Sequence, residues 1–267
     1  MNEIKISIVC PTYNSGAFIE NTVNNVINQT FKNFELVICD DGSIDNNINV
    51  IENIIKKNEH INIKLIRQKH KGPGAARNEC IKHATGNWIS FLDSDDLWEQ
   101  NKLEVVADII RCNQDTNFIF HNEAKIKLNK DKEILHDFSK FYNDKLSLSY
   151  QLWKYCIFHT SAITCKLDLI EKYGGFDETL MSSQDWELWL RMSRDIKYKH
   201  IPEILGTYIE RENNITNTKS IRGLIDRLRI MTRHWTFSEV GINDLLYMYL
   251  RRVFGFIFTE YRKKFFR

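Results

Sequence analysis

The chain has 267 residues, enough for one large domain with a substantial core, or one domain plus an extension. Lys and Arg total 37 against 35 Asp and Glu, and a formal charge of +2 gives no global reason to expect nucleic-acid binding. A hydrophobic fraction of 43% excludes a disordered chain, and no stretch of 18 apolar residues argues for a spanning helix.

Ile4, Ile6 and Ile8 alternate with polar residues before Val9 and Cys10 and predict a first strand, broken by Pro11-Thr12-Tyr13-Asn14. Apolar residues at 19, 23, 26 and 27 form one helical stripe. Phe34 to Cys39 reads as a second strand that ends in the turn Asp40-Asp41-Gly42-Ser43. A second helix carries Ile48, Ile51, Ile54 and Ile55, and Ile61 to Ile66 is a third strand. The basic loop Gln68 to Gly74 leads into a helix from Ala75 to Ala84, with Gly86 as its stop. Trp88 to Leu92 is a buried strand that ends abruptly in Asp93, Asp95 and Asp96. Four strand–helix alternations predict an α/β fold with a mostly parallel sheet and helices on both faces.

The pattern then loosens. Leu103, Val106, Ile109 and Ile110 mark a helix, Phe118 to His136 a hairpin, 139–154 a helix, and Ser161 to Cys165 a strand. A turn at Tyr173 to Glu178, a short helix at Asp185 to Met192 and a strand at Tyr198 to Tyr208 follow. From about residue 217 the chain reads as paired helices. Leu245, Leu246, Tyr249, Leu250, Val253, Phe256 and Ile257 form a wide stripe among Arg251, Arg252, Arg262, Lys263, Lys264 and Arg267. Such a basic, aromatic-rich segment, 240–267, is expected either on an anionic membrane surface or against its own domain or a second copy in a homo-oligomer.

Six cysteines, none in a Cys-x-x-Cys, read as reduced thiols of a reducing compartment. With no signal-peptide pattern at the N-terminus, a cytoplasmic location is expected, peripheral on the membrane if the tail binds lipid. The histidines lack metal-ligand spacing, and neither a Walker loop nor Gly-x-Gly-x-x-Gly occurs, which counts against an ATPase or a dehydrogenase.

Thr12, Asn14, Asp40, Asp41, Asp93 and Asp95 all fall at strand ends that a parallel sheet gathers on one edge, where open α/β sheets bind ligands. Asp93 and Asp95 are close enough to repel, and a divalent cation relieves that repulsion. Asp93 or Asp96 as a helix cap, and Asp41-Gly42-Ser43 as a plain turn, are the alternatives.

In order and spacing, Pro11-Thr12-Tyr13-Asn14, Asp40-Asp41-Gly42-Ser43, Gly74-Ala75-Ala76-Arg77-Asn78 and Asp93-Ser94-Asp95-Asp96 resemble the inverting nucleotide-sugar glycosyltransferases of family 2 type with the GT-A fold. Gly174-Gly175-Phe176-Asp177-Glu178 and Gln184-Asp185-Trp186-Glu187 are similar to that family's later motifs. The resemblance covers about residues 4 to 216. It implies a glycosyltransferase domain at 1–216, with a nucleotide-binding half at 1–98 and an acceptor half at 99–216, and a helical extension at 217–267.

The resemblance also implies roles. Pro11, Thr12, Tyr13, Asn14, Asp40, Asp41, Lys71, Gly74, Arg77, Asp93, Ser94 and Arg211 would bind the donor, Asp41 facing the base and Asp93 the ribose or sugar. Asp95 would hold Mn²⁺ or Mg²⁺, and Asp185 would be the general base. The implied activity is transfer of a sugar from a nucleotide diphosphate, a UDP-sugar in this expectation, onto a hydroxyl of a glycan or lipid-linked glycan, with inversion. Two departures stand out: Gln184 replaces a usual Glu, and Arg211 stands where a His is frequent. They keep open a non-catalytic sugar-nucleotide or glycan-binding module, while the acidic cluster keeps open a nucleotidyl- or phosphoryl-transfer enzyme.

Overall fold

A computed structural model describes residues 3–127, 133–141, 143, 145–210, 220–235 and 240–265. Its first half alternates strand and helix: β1 (Ile6–Thr12), α1 (Ile19–Ile27), β2 (Phe34–Asp40), α2 (Asn47–Lys57), β3 (Ile63–Arg67), α3 (Pro73–His83) and β4 (Trp88–Phe91). β1, β2 and β4 are buried at every position, as strands covered on both faces must be. Alternate residues feed two cores: Ile6, Ile8 and Cys10 pack on one face, Val9 on the other.

The short β5 (Leu97–Trp98) and α4 (Lys102–Cys112) lead to a hairpin of β6 (Phe118–Lys127) and β7 (Glu133–His136). Then come α5 (Leu148–Lys154), β8 (Ile163–Lys166), α6 (Leu167–Lys172), α7 (Gln184–Met192) and the long β9 (Tyr198–Glu210). The main sheet order is β3-β2-β1-β4-β8-β6-β9-β5, with β7 beside β6. The β3-β2-β1-β4 half is parallel, and β8 joins β4 antiparallel, so the second half is a mixed sheet.

Three local readings shift. The helix expected over 139–154 is a 3-10 turn at Phe138–Phe141 and then α5, which starts where Ser147 accepts from Tyr150 N. Ser161 lies in a 3-10 turn, Thr160–Ala162, and the strand begins after it. Gly86 is not a left-handed cap. A Cβ there would lie 2.7 Å from Lys5 O and Ser7 N, so glycine is needed for close approach to the chain entering β1.

The chain ends in α8 (Ile221–Arg233) and α9 (Ile242–Phe265). Ile230, Met231, Val240 and Met248 join the core that holds Val9 and Phe91, and Trp153 Nε1 donates to Met231 O at 2.9 Å. Among the described residues no helix is long and apolar enough to cross a membrane.

Candidate active site

Strand register gathers the site. Thr12 pairs with Asp40, and Leu92 N donates to Val9 O at 3.0 Å, so the carboxyl ends of β1, β2 and β4 share one edge. Pro11 continues the β1 ladder opposite Cys39.

One wall is the turn after β2. Asp40 faces inward, accepting from Asn47 Nδ2 at 2.6 Å and Ser43 N at 3.0 Å, and Asn47 Oδ1 accepts from Thr12 Oγ1 at 3.1 Å. Thr12 and Asp40 therefore brace the turn from below. Asn14, in the left-handed region at φ 50°, ties β1 to the same turn: its N–H donates to Ser43 Oγ, and its Oδ1 accepts from Ile44 N. Gly42 has φ 77°, and a Cβ there would come within 2.9 Å of His70 N.

Asp41 is gripped by the loop after β3. Gln68 Nε2, Lys71 N and Gly72 N donate to its carboxylate at 2.7, 2.8 and 2.8 Å, and His70 Nδ1 lies 2.9 Å away. Tyr13, exposed, stacks on His70 with ring centroids 4.3 Å apart. The stack offers a flat aromatic surface beside a buried carboxylate. Loop charge is all that the sequence announces for His70, because its ring partner comes from another strand end. The Lys71 side chain is exposed at the rim.

The second wall is the acidic edge after β4. Arg77 on α3 is buried, and its Nη2 donates to Asp93 Oδ1 at 2.6 Å. Burial weakens the guanidinium charge, but the Asp93 and Asp185 carboxylates more than offset it and hold the Arg77 pKa above its ordinary value. Asp93 N donates to Ser161 Oγ, which donates in turn to Asp96 Oδ2 at 2.5 Å. Asp96 is buried and also accepts from Ile209 N at 3.2 Å. Ser94 is buried against Ser15, their hydroxyls 2.8 Å apart, and Asp95 is half-buried between these neighbours. Burial first, then the Asp93 and Asp95 charges, push the neighbouring Cys10 thiol up.

α7 brings in Asp185. Its Oδ2 accepts from Thr160 Oγ1 at 3.0 Å and its Oδ1 from Trp186 N at 2.8 Å. The packing that holds α7 against α3 is tight. A Cβ on Gly74 would lie 3.3 Å from Gln184 Cγ, and Asn78 bonds Phe176 through both N–H and C=O. Gln184 is buried and donates to Leu180 O, so this residue contributes packing here. Trp186 and Trp189 are fully buried beneath the carboxylate's helix.

The structure thus brings Arg77, Asp93, Ser94, Asp95 and Asp185 together, and Tyr13, Asp41 and Lys71 beside them. Arg211 lies outside the described residues. Among the described residues no three His, Cys, Asp or Glu side chains form a closed metal-ligand set. The chemistry of the edge is carboxylate oxygen with one buried cation, which fits Mg²⁺ or Mn²⁺ completed by phosphate oxygens, not a caged structural metal.

The profile described as Glycosyl transferase family 2 matches residues 7–173. A protein of Rickettsia felis described as an uncharacterized glycosyltransferase is 34% identical over 194 residues, covering 72% of this chain. The chain spans only 31% of that relative's length. The Escherichia coli enzyme described as UDP-Glc:alpha-D-GlcNAc-diphosphoundecaprenol beta-1,3-glucosyltransferase WfgD is 31% identical over 199 residues, 73% of this chain and 72% of that one. Among solved structures, S. aureus TarS 1-349 in complex with UDP-GlcNAc superposes with a TM-score of 0.72 at 21% identity, over 95% of this chain and 73% of that one. The mannosyltransferase PcManGT of Pyrobaculum calidifontis, solved with GDP-Man and Mn²⁺, gives 0.70 at 18% identity, over 96% of this chain and 73% of that one.

Proposed function

This chain belongs to glycosyl transferase family 2 and carries the GT-A fold, so it is a glycosyltransferase, and from its site we propose that it is an inverting, metal-dependent enzyme acting on a UDP-sugar. The observation that carries the proposal is electrostatic and geometric. Arg77, which grips Asp93 at the donor edge, also lies in the field of Asp185 on α7. On this reading a donor-side carboxylate and a separate carboxylate on a helix face one reaction space.

In the proposed reaction the acceptor hydroxyl oxygen attacks the anomeric carbon. The bond from that carbon to the diphosphate oxygen breaks, and its electron pair leaves with the nucleoside diphosphate. Asp185 takes the hydroxyl proton. Thr160 and Trp186 N fix the carboxylate's orientation. One displacement without an enzyme nucleophile inverts the centre. Asp41 and the Tyr13–His70 stack receive the base, and Asp93, held by Arg77, faces the ribose or sugar. Asp95 would hold Mn²⁺ or Mg²⁺ with the donor's diphosphate, and the bound ion supplies Lewis-acid neutralisation of the leaving charge. The UDP choice rests on the donors named for WfgD and TarS.

The acceptor is proposed to be a lipid-linked glycan intermediate in polysaccharide synthesis. WfgD is described as acting on a diphosphoundecaprenol-linked sugar. Residues 217–267 are proposed as an extension that holds the enzyme near the membrane that carries this acceptor.

Asp185→Asn is expected to keep UDP binding while transfer falls by about 10²–10⁴-fold. A donor screen that reads released nucleoside diphosphate, with the anomeric configuration of the product taken by NMR, checks both parts. Full transfer in the Asn variant defeats the base assignment. Release of pyrophosphate instead favours nucleotidyl transfer.

A further inference from the structure

We infer that the cleft between α8, α9 and the end of α5 is an anion site that takes the diphosphate group of an amphiphilic, diphosphate-linked acceptor. The inference deepens the proposed lipid-linked acceptor reading and rests on it for the identity of the ligand. The cleft encloses about 420 Å³ and is lined by Lys154, Arg227, Arg251 and Arg252 over the apolar Ile157 and Met248.

Arg227, Arg251 and Arg252 stand close enough for their charges to act on one another. Asp226, beside Arg227 in sequence, accepts from Met181 N and Ser182 N at 3.0 and 3.2 Å, and its charge only partly opposes the burial that lowers the Arg227 pKa. Rings and a thioether position the guanidinium groups. Arg252 lies over the Trp186 ring at 4.7 Å and donates to Met231 Sδ at 2.9 Å, and Arg251 lies over the Tyr155 ring at 5.6 Å. Burial first, then the neighbouring Arg227 and Arg251 charges, press the Arg252 pKa down to about 10. Like charges crowded in a partly dry cleft are unfavourable until an anion enters. A diphosphate, with several oxygens for planar donor forks, is the anion that such a set matches.

Position gives the site its role. Trp186, under Arg252, follows Asp185 directly in α7. Cys156 lines the same cleft, and four residues on, Thr160 donates to Asp185. An anionic group held here would anchor an acceptor beside the proposed base. On a different face of α9, Leu246, Leu250, Phe254 and Ile257 stand exposed at helical spacing.

The test is equilibrium binding of farnesyl diphosphate to the full chain with UDP saturating, so that the donor edge is filled. Arg251→Gln with Arg252→Gln should weaken binding at least tenfold, by about 1.4 kcal/mol, while UDP affinity stays unchanged as a control on folding. Arg251→Lys with Arg252→Lys keeps the charge and should retain most of the binding. Farnesol should bind far more weakly than farnesyl diphosphate. Undiminished farnesyl diphosphate affinity in the Gln pair, or equal affinity for farnesol, overturns the site. Loss of binding to phosphatidylglycerol vesicles with farnesyl diphosphate affinity unchanged also overturns it, assigning the arginines to bilayer headgroups. The measurement needs no transfer, so failure of the proposed reaction is read separately.

Discussion

Asp93, Asp95 and Asp96 sit within four positions of sequence, yet the fold makes three different carboxylates of them. Asp93 is paired with Arg77. Asp96 is buried, and that burial, with the Asp93 and Asp95 charges behind it, pushes its pKa well above the ordinary value despite the Ser161 hydroxyl. Asp95, half-buried like Asp93, is the one on which the cation reading rests. Asp95→Ala should therefore lower UDP affinity in Mn²⁺ roughly tenfold or more, and leave the weaker affinity in chelator unchanged; calorimetry in both conditions checks it. Equal affinities of wild type and variant in Mn²⁺ would remove the metal role. The acidic cluster itself is legible in the sequence, because an apolar run stops at it. The division of labour inside it is not, because the partners that decide it, Ser161 and the Ile209 N–H, come from distant stretches of chain.

Among the elements, β1 to β4, α1 and α2 follow from apolar patterning, since the strands are apolar runs or alternations and each of the two helices has one stripe, whereas α3 has no stripe and is marked by Pro73 at its start. α4 shows where periodicity stops informing. Its stripe reads through Leu103 and Val106, and Lys102 beside it would be assigned to solvent, yet Lys102 is fully buried. Its Nζ lies 3.6 Å from the Trp98 ring centre and donates to Ser90 and Thr164, which also bond each other at 2.8 Å. Burial, only partly opposed by the Glu123 charge, drives its pKa well below the ordinary lysine value of 10.5. The unfolded chain then binds more protons than the folded one between the depressed pKa and 10.5, so this group's contribution makes stability rise with pH across that window. Lys102→Met keeps the length and removes the titration. The wild-type stability relative to Lys102→Met should thus rise as pH increases through the window and level off above it, as urea unfolding at a series of pH values will read. A difference independent of pH would mean that the lysine is not held as a desolvated amine.

At the scale of the molecule, α8 and α9 belong to the same packed body as the sheet. Glu187 on α7 accepts from His234 Nε2 at 3.0 Å, and Met231 and Met248 lie in the sheet's core. The sequence shows the apolar stripe of α9 but not how it divides, because which residues meet the core depends on the angle at which the helix docks. In the fold Met248 turns inward, while Leu250 and Phe254 remain 55% and 64% exposed. That division separates membrane binding from stability. Replacing Leu250 and Phe254 by Ser removes apolar area that the folded chain does not bury, so the midpoint of urea unfolding should hardly move. If this face lies on an anionic bilayer, each side chain withdrawn from water contributes about 1.5–3 kcal/mol, and the double variant should sediment with phosphatidylglycerol vesicles at least tenfold less well. Raising the salt should weaken the wild type as well, since Arg251 and the basic residues after it add screened attraction. Vesicle binding that survives both changes would place the lipid contact elsewhere. A double variant that instead lowers the sedimentation coefficient of the lipid-free protein would assign the face to a second copy of the chain.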